Sequence, residues 1–213
     1  MHAFLLALGL AVAPGGVRIT VAGDSLALGI GASDSSRGFA FELFRRVQAI
    51  RPGSEITNLA IGGTTARDVL RLEIPHLAQS APQLVLLEAG ANDAVRRRSP
   101  AAFRHDYRAL VAALRHAAPA ARIVLFTVPD VSVSPLFEPA SKPALHRLVV
   151  AYNATVYAEA RLARARVVDL YAFSQRARTD GSRYFSADDF HPSDAGHAAI
   201  AADAWPIVTT SLP

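Results

Sequence analysis

Short apolar runs alternate with longer amphipathic stretches along the chain. Five of the runs are rich in Val, Ile and Leu, and we predict that they are strands: Val17–Ala22, Glu55–Leu59, Leu84–Glu88, Arg122–Val128 and Arg166–Leu170. Runs this short and this apolar are typical of parallel strands that helices cover on both faces. The pattern therefore favours a buried parallel sheet.

The stretches between these runs have apolar residues at helical spacing. They predict helices at Phe39–Ile50, Thr65–Gln79, Pro100–Ala118, Pro143–Ala163 and Ser193–Val208. Regular alternation of strand and helix predicts a three-layer α/β/α sandwich around a parallel sheet of about five strands. No repeat or linker divides the chain, so we expect residues 14–213 to form a single domain.

Residues suited to chemistry follow the carboxyl ends of the predicted strands. Ser25, Gly63 and Asn92 come after the first, second and third strands, and a loop with three prolines, residues 129–142, follows the fourth. Ligands of open α/β sheets bind at this edge. Each of these residues could also be an ordinary turn or capping residue, but together they indicate an active site.

Two distant segments supply the groups of a serine hydrolase. Ser25 offers a hydroxyl, and the segment Asp188–Pro192 offers a carboxylate and the imidazole of His191. A serine becomes a good nucleophile when a histidine takes its proton, and a carboxylate fixes the tautomer of that histidine. Glycine N–H groups at 62–63 and the amide of Asn92 suit an oxyanion hole.

These four blocks resemble the GDSL or SGNH hydrolases, a family named for serine, glycine, asparagine and histidine in separate motifs. The blocks are Gly-Asp-Ser-Leu at 23–26, the segment 58–65, Gly-Ala-Asn-Asp at 90–93 and Asp-Asp-Phe-His-Pro at 188–192. The resemblance implies a flavodoxin-like sheet. No Gly-x-Ser-x-Gly elbow surrounds Ser25, which argues against an ordinary α/β-hydrolase.

The same resemblance implies a role for each site residue. Ser25 would be the nucleophile, His191 the base and Asp188 its orienting partner, while the Ser25 N–H, Gly63 and Asn92 would form the oxyanion hole. Gly62 is the alternative to Gly63, because the two glycines are adjacent. Of the two neighbouring aspartates, Asp188 is preferred to Asp189 because it lies three residues before the histidine.

The implied activity is hydrolysis of a small-molecule carboxylic ester through an acyl-enzyme, with no cofactor. Apolar residues near the site favour a short- or medium-chain acyl group, and we expect the substrate to contact Leu26, Leu136, Phe137 and Phe190. An acyltransferase or a carbohydrate deacetylase would use the same residues, and a non-catalytic module that binds an acylated ligand is a further alternative.

Composition excludes several other classes. The 213 residues include no cysteine, which rules out a disulfide framework and thiolate metal sites. The net charge of +4 comes mainly from scattered arginines without interleaved aromatics, so we predict no nucleic-acid partner.

We interpret Arg96–Arg98 as a solvated loop. His191, Asp194 and His197 could be imagined as metal ligands, but Asp194 also suits a helix start, and we predict no metal.

The first 13 residues are apolar and end in Ala-Val-Ala, which imitates a short signal peptide without its usual basic start. This segment is too short to span a bilayer, and no later segment is apolar enough, so no integral membrane segment is expected. If the segment is a cleaved signal the protein is secreted or periplasmic; otherwise it is cytoplasmic. The oligomeric state is left open.

Overall fold

A computed structural model describes residues 15–180 and 182–213. The predicted leader, residues 1–13, lies outside the described residues. The element bounds that follow are those of the described chain.

Five parallel strands form one sheet in the order β2-β1-β3-β4-β5. The strands are β1 Arg18–Gly23, β2 Glu55–Asn58, β3 Leu84–Glu88, β4 Arg122–Phe126 and β5 Arg166–Val168. This is the flavodoxin-like strand order, in which the chain reverses direction across the sheet between β1 and β3. The expected fold class is confirmed.

Helices cover both faces of the sheet. They are α1 Ser25–Leu28, α2 Phe39–Ile50, α3 Ala66–Leu72, α4 Ile74–Leu77, α5 Ala91–Val95, α6 Pro100–Ala117, α7 Lys142–Ala163, α8 Leu170–Asp180 and α9 Asp194–Thr209. Side chains of successive strand residues point to opposite faces, so Val85 and Leu87 pack with α3 to α7 while Leu84 and Leu86 pack with α2, α8 and α9.

Three local features differ from the sequence prediction. The predicted helix Thr65–Gln79 is divided into α3 and α4, because Pro75 cannot donate the hydrogen bond that would continue α3. The last strand ends at Val168 and α8 begins at Leu170, with Asp169 accepting a hydrogen bond from the Ala172 N–H. Strand β2 lies at the sheet edge and is only partly covered.

Within the described residues, no helix combines the length and the apolar character needed to cross a membrane.

Candidate active site

Ser25 lies directly beyond the carboxyl end of β1. It is the first residue of α1, and the Asp24 side chain caps this helix by accepting a hydrogen bond from the Leu26 N–H at 3.0 Å. Only glycine fits at position 23, because φ is +148° and a Cβ there would lie 1.9 Å from the Glu88 carbonyl oxygen. The tight β1–α1 turn therefore fixes the Ser25 side chain at the edge of the sheet.

His191 lies in the segment between the 3-10 turn Ser182–Tyr184 and α9. Its Nε2 is 2.9 Å from the Ser25 Oγ, and its Nδ1 is 2.5 Å from Asp188 Oδ2. The structure thus joins Ser25, His191 and Asp188 in one hydrogen-bonded chain, although 166 positions separate the serine from the histidine.

The Asp188 carboxylate is held by its own segment. Its Oδ1 accepts hydrogen bonds from the Phe190 and His191 N–H groups, both at 2.9 Å, and from Ser186 Oγ at 2.7 Å. Desolvation acts to raise the pKa of Asp188, but the hydrogen bonds from His191, Phe190 and Ser186 outweigh it and hold the pKa well below its usual range. Asp188 is therefore ionised at neutral pH and aimed at the imidazole.

Asp189 takes no part in this chain of hydrogen bonds. Its backbone is left-handed, with φ +58°, and its carbonyl oxygen accepts a hydrogen bond from Ser134 Oγ at 2.6 Å. The structure therefore brings Asp188, and not its neighbour, to the imidazole.

The segment after β2 brings two glycines to the other side of Ser25. Gly63 has φ +81°, and a Cβ built on Gly62 would lie 3.9 Å from the Ser25 Cβ. Among the described residues, no hydrogen-bond acceptor pairs with the backbone N–H of Ser25, Gly62 or Gly63. These donors are free to bind an oxyanion, and the choice between the two glycines stays a prediction.

Asn92 occupies the start of α5, after β3. Its Nδ2 donates hydrogen bonds to the Thr64 carbonyl oxygen at 3.1 Å and to Asp24 Oδ2 at 3.3 Å. The amide is thereby anchored between the nucleophile turn and the glycine loop.

Three carboxyl groups that the sequence analysis did not single out lie behind the site. Asp24, Glu73 and Glu88 are each only 1% exposed. Burial raises the pKa of Glu73 to about 8 and raises the pKa values of Asp24 and Glu88 as well. Glu73 Oε2 accepts a hydrogen bond from the Gly23 N–H at 2.7 Å, which ties α3 to the end of β1.

An apolar cavity of about 80 Å³ is lined by Ser25 and by the segment that carries His191. Leu26 and Phe190, two of the residues that we expect to contact the substrate, line it, and that contact stays a prediction. The lining also includes residues that the sequence analysis did not single out, among them Phe173, Ala177, Tyr184, Phe185 and Ile200. Several of these belong to α8, a helix absent from the sequence prediction.

Leu136 and Phe137 lie outside the lining of this cavity. The Leu136 side chain is 56% exposed, while the Phe137 ring packs edge-on against Phe190 with 5.9 Å between ring centroids. Their predicted contact with substrate stays a prediction.

The interpretation of Arg96–Arg98 as a solvated loop is wrong for Arg98. Its Nε lies 3.1 Å from Asp93 Oδ1, and the Asp93 side chain is completely buried. Arg96 is largely exposed, yet it donates a 2.8 Å hydrogen bond to the Gly63 carbonyl oxygen. The sequence signal for both contacts was the short distance along the chain, since Arg96 and Arg98 lie within a few residues of Asp93.

The residues imagined as metal ligands make other contacts. His197 bonds the Phe39 N–H and the Ile30 carbonyl oxygen, and Asp194 bonds Ser33 and Arg37. Over the ranges 15–180 and 182–213, no group of three His, Asp or Glu side chains is arranged to hold a metal ion.

A flavodoxin-like sheet with a serine, a histidine and an aspartate at its carboxyl edge is the architecture of a small α/β ester hydrolase. The model of the GDSL-like lipase/acylhydrolase family matches residues 21–199. The chain therefore belongs to this family and is an ester hydrolase.

Individual relatives agree with this assignment. The esterase TesA of Pseudomonas aeruginosa is 26% identical over 194 residues, which are 91% of this chain and 89% of TesA. A crystal structure of TesA has a TM-score of 0.75 at 23% identity and covers 92% of this chain and 99% of its own. An acetylxylan esterase of Geobacillus stearothermophilus has a TM-score of 0.71 at 20% identity, covering 89% and 92%.

Proposed function

We propose that the protein hydrolyses carboxylic esters with Ser25 as nucleophile, His191 as general base and acid, and Asp188 as the partner of the imidazole. The observation that carries this proposal is the pair of contacts at His191, 2.9 Å to the Ser25 Oγ and 2.5 Å to Asp188 Oδ2. Both distances suit hydrogen bonds, and the serine lines an apolar cavity.

Acylation follows from this geometry. With the Nδ1 proton donated to Asp188, Nε2 of His191 is the acceptor for the Ser25 hydroxyl proton. The Ser25 oxygen bonds to the ester carbonyl carbon as its proton passes to Nε2, and Asp188 stabilises the resulting imidazolium. The tetrahedral intermediate then breaks the bond to the alkoxy oxygen, which leaves as an alcohol with the proton from His191.

The oxyanion of that intermediate would be held by the Ser25 and Gly63 N–H groups and by Asn92. Rigid donors that already point at the developing charge stabilise a transition state more than they stabilise the neutral ester. The bond from Nδ2 of Asn92 to the Thr64 carbonyl oxygen keeps the amide in place before substrate arrives.

Deacylation reverses the roles. His191 takes a proton from water, the hydroxide bonds to the acyl carbon, and the Ser25 oxygen leaves with the proton from the imidazolium. An alcohol in place of this water would make the protein an acyltransferase, so the ratio of free acid to new ester, measured with added glycerol, separates the two reactions.

Carbohydrate deacetylation is the second candidate. It is favoured by the small volume of the cavity beside Ser25 and by the fold shared with an acetylxylan esterase. Release of acetate from acetylated xylo-oligosaccharides, compared with release from p-nitrophenyl acetate, tests this candidate.

A covalent probe tests the central proposal. A fluorophosphonate is expected to add once, at Ser25, and Ser25→Ala is expected to reduce hydrolysis of p-nitrophenyl acetate by about 10³-fold or more. Ser36→Ala, on an exposed turn, is the matched control and should retain full activity. An adduct on any other residue of the intact protein would overturn the assignment.

A further inference from the structure

A second histidine, His197, is completely buried on the first turn of α9, the helix that begins shortly after His191. Its Nδ1 lies 3.2 Å from the Phe39 backbone nitrogen, and its Nε2 lies 3.0 Å from the Ile30 carbonyl oxygen. A backbone N–H can only donate a hydrogen bond, and a carbonyl oxygen can only accept one. His197 is therefore a neutral imidazole with its proton on Nε2, which donates to Ile30.

The surroundings of His197 favour this neutral form. Burial lowers the pKa of His197 below its ordinary value of 6.5, although the hydrogen bond to Ile30 and the Asp194 carboxylate act to raise it. The charge that His191 carries when protonated acts to lower it further. An imidazolium at position 197 would also direct a second N–H at the Phe39 N–H, where two donors would meet.

The loop that His197 holds lies between Ser25 and His191. The Ile30 N–H donates to the Ser25 carbonyl oxygen at 2.9 Å, so the loop is bonded to the residue that carries the nucleophile. The next residue, Gly31, packs against the histidine segment, because a Cβ built there would lie 2.7 Å from the His191 Cβ. Two adjacent residues of one loop therefore contact Ser25 and the segment of His191.

We propose that His197 is a positioning residue of the active site, whose hydrogen bond to Ile30 keeps the Ser25 hydroxyl within reach of the His191 imidazole. The proposal rests on the roles given to Ser25 and His191 above. The connection runs from Ser25 through Ile30 to His197. It continues along the start of α9 to His191, whose Nε2 is 2.9 Å from the Ser25 Oγ. Loss of one link in this closed circuit allows the others to shift.

The two hydrogen bonds of His197 have different consequences. Phe39 begins α2, and its ring packs with Phe126 in the core, with 5.3 Å between ring centroids. The bond to Phe39 therefore ties His197 to the core and fixes its tautomer. The bond to Ile30 leads to the active site, so it is the one that should affect the reaction.

Two substitutions separate these bonds. In His197→Gln the amide nitrogen takes the place of Nε2 and donates to Ile30, whereas in His197→Asn the amide oxygen takes the place of Nδ1 and accepts from Phe39. We expect His197→Asn to lower kcat for p-nitrophenyl acetate by about tenfold to 10²-fold, with KM within about twofold, because a small misplacement of reacting groups has effects of this size. His197→Gln should retain kcat within about threefold.

Each variant is the matched control for the other. Both leave one buried backbone group without its partner, so both should melt at a lower temperature than the unsubstituted protein. A role in stability alone would therefore affect the kcat of the two variants alike. A positioning role lowers kcat in His197→Asn only.

Nitrogen NMR of the imidazoles in the unsubstituted protein gives a test that does not depend on the folding of a variant. At neutral pH His197 should be the tautomer with its proton on Nε2. A proton on Nδ1 would overturn the inference, because His197 would then neither accept from Phe39 nor donate to Ile30.

Two kinetic results would also overturn it: equal losses of kcat in the two folded variants, or full kcat in folded His197→Asn. Fluorophosphonate labelling of the unsubstituted protein separates this failure from failure of the proposed function. If Ser25 is labelled while kcat is unchanged in both variants, only the positioning role of His197 falls. Without labelling at Ser25, the proposed function falls first.

Discussion

At the scale of single residues, the position of a carboxylate decides its role. Asp188 accepts hydrogen bonds from three groups of its own segment and from His191, whereas Asp189 has a left-handed backbone and accepts a hydrogen bond from Ser134 Oγ through its carbonyl oxygen. Neighbours in sequence therefore have different surroundings in the fold.

The pair Asp188→Asn and Asp189→Asn measures this difference. We expect Asp188→Asn to lower kcat by about 10²–10⁴-fold, because an amide favours the wrong imidazole tautomer and does not stabilise the imidazolium. Asp189→Asn should change kcat less than about threefold, since asparagine tolerates a positive φ. Steady-state kinetics with p-nitrophenyl acetate give both values, and a reversed order would reassign the partner of His191 to Asp189.

Asn92 is expected to act in the transition state. Asn92→Ala should reduce kcat by about 10²–10³-fold with little change in KM, because the amide is needed most when the carbonyl oxygen becomes charged. A variant that changed only KM would place Asn92 in substrate binding instead. Unchanged labelling of Ser25 by a fluorophosphonate would show that the nucleophile is still in place.

Glu73 gives the folded protein a distinctive pH dependence. Its pKa is raised from 4.5 to about 8, mainly by burial, so the folded state retains a proton that the unfolded chain releases. The stabilisation that this proton on Glu73 gives to the folded state is full below about pH 4.5. It is lost as the pH rises to about 8, at up to about 1.4 kcal/mol per pH unit.

Glu73→Gln removes this titration. Its stability relative to the unsubstituted protein should therefore improve as the pH rises from 5 to 9, as followed by urea unfolding at several pH values. A stability difference independent of pH would mean that Glu73 is already ionised in the folded protein.

At the scale of elements, the short link between α5 and α6 is fixed by the two ion pairs of Arg98. The Arg98 side chain pairs with Asp93 and Asp106, and the Tyr152 hydroxyl on α7 donates to the Arg98 carbonyl oxygen. Burial raises the pKa of Asp93 to about 6, while the nearby Arg98 charge acts to lower it. The link therefore joins three helices next to Asn92.

Arg98→Ser should reduce the free energy of unfolding by about 2–4 kcal/mol at pH 8, because it leaves a buried carboxylate without its partner. Arg97→Ser is the matched control on the exposed neighbour and should stay within about 0.5 kcal/mol. The loss in Arg98→Ser should become smaller at pH 5, where Asp93 takes up a proton. Equal unfolding midpoints for the two variants would contradict the structural role of Arg98.

At the scale of the whole molecule, the site depends on contact between the two ends of the described chain. Gly31, in the loop after α1, touches the segment of His191, and a Cβ there would lie 2.4 Å from the Pro192 carbonyl oxygen and 2.7 Å from the His191 Cβ. The backbone at this position also has φ +94°. Only glycine permits this approach.

Gly31→Ala should therefore displace His191 from Ser25 and lower kcat by about tenfold or more, with a fall in melting temperature. Gly15→Ala, also at positive φ but with no neighbour within 4 Å of the new Cβ, isolates the backbone contribution and should leave kcat unchanged. Full activity in folded Gly31→Ala would mean that this close contact does not position the imidazole.

Local pattern predicted the architecture and the positions of several candidate site residues after strand ends, while the resemblance to a family supplied their roles. Strands and helices follow from periodicity, and parallel strands bring all their carboxyl ends to one edge, so Ser25, Gly63 and Asn92 could be expected together. The Asp188 and His191 pair lies within one four-residue segment, where local geometry brings the side chains into contact.

Tertiary structure decided what depends on distant packing. Helix α8 has a weak apolar pattern, so neither the helix nor its part of the cavity lining could be derived from sequence. The raised pKa of Glu73 and the buried pair of Arg98 and Asp93 depend on desolvation by every element around them. Sequence by itself determined which residues lie at the sheet edge. The fold determined the distance from Ser25 to His191 and the cavity beside Ser25, because burial and contact are properties of the whole packed chain.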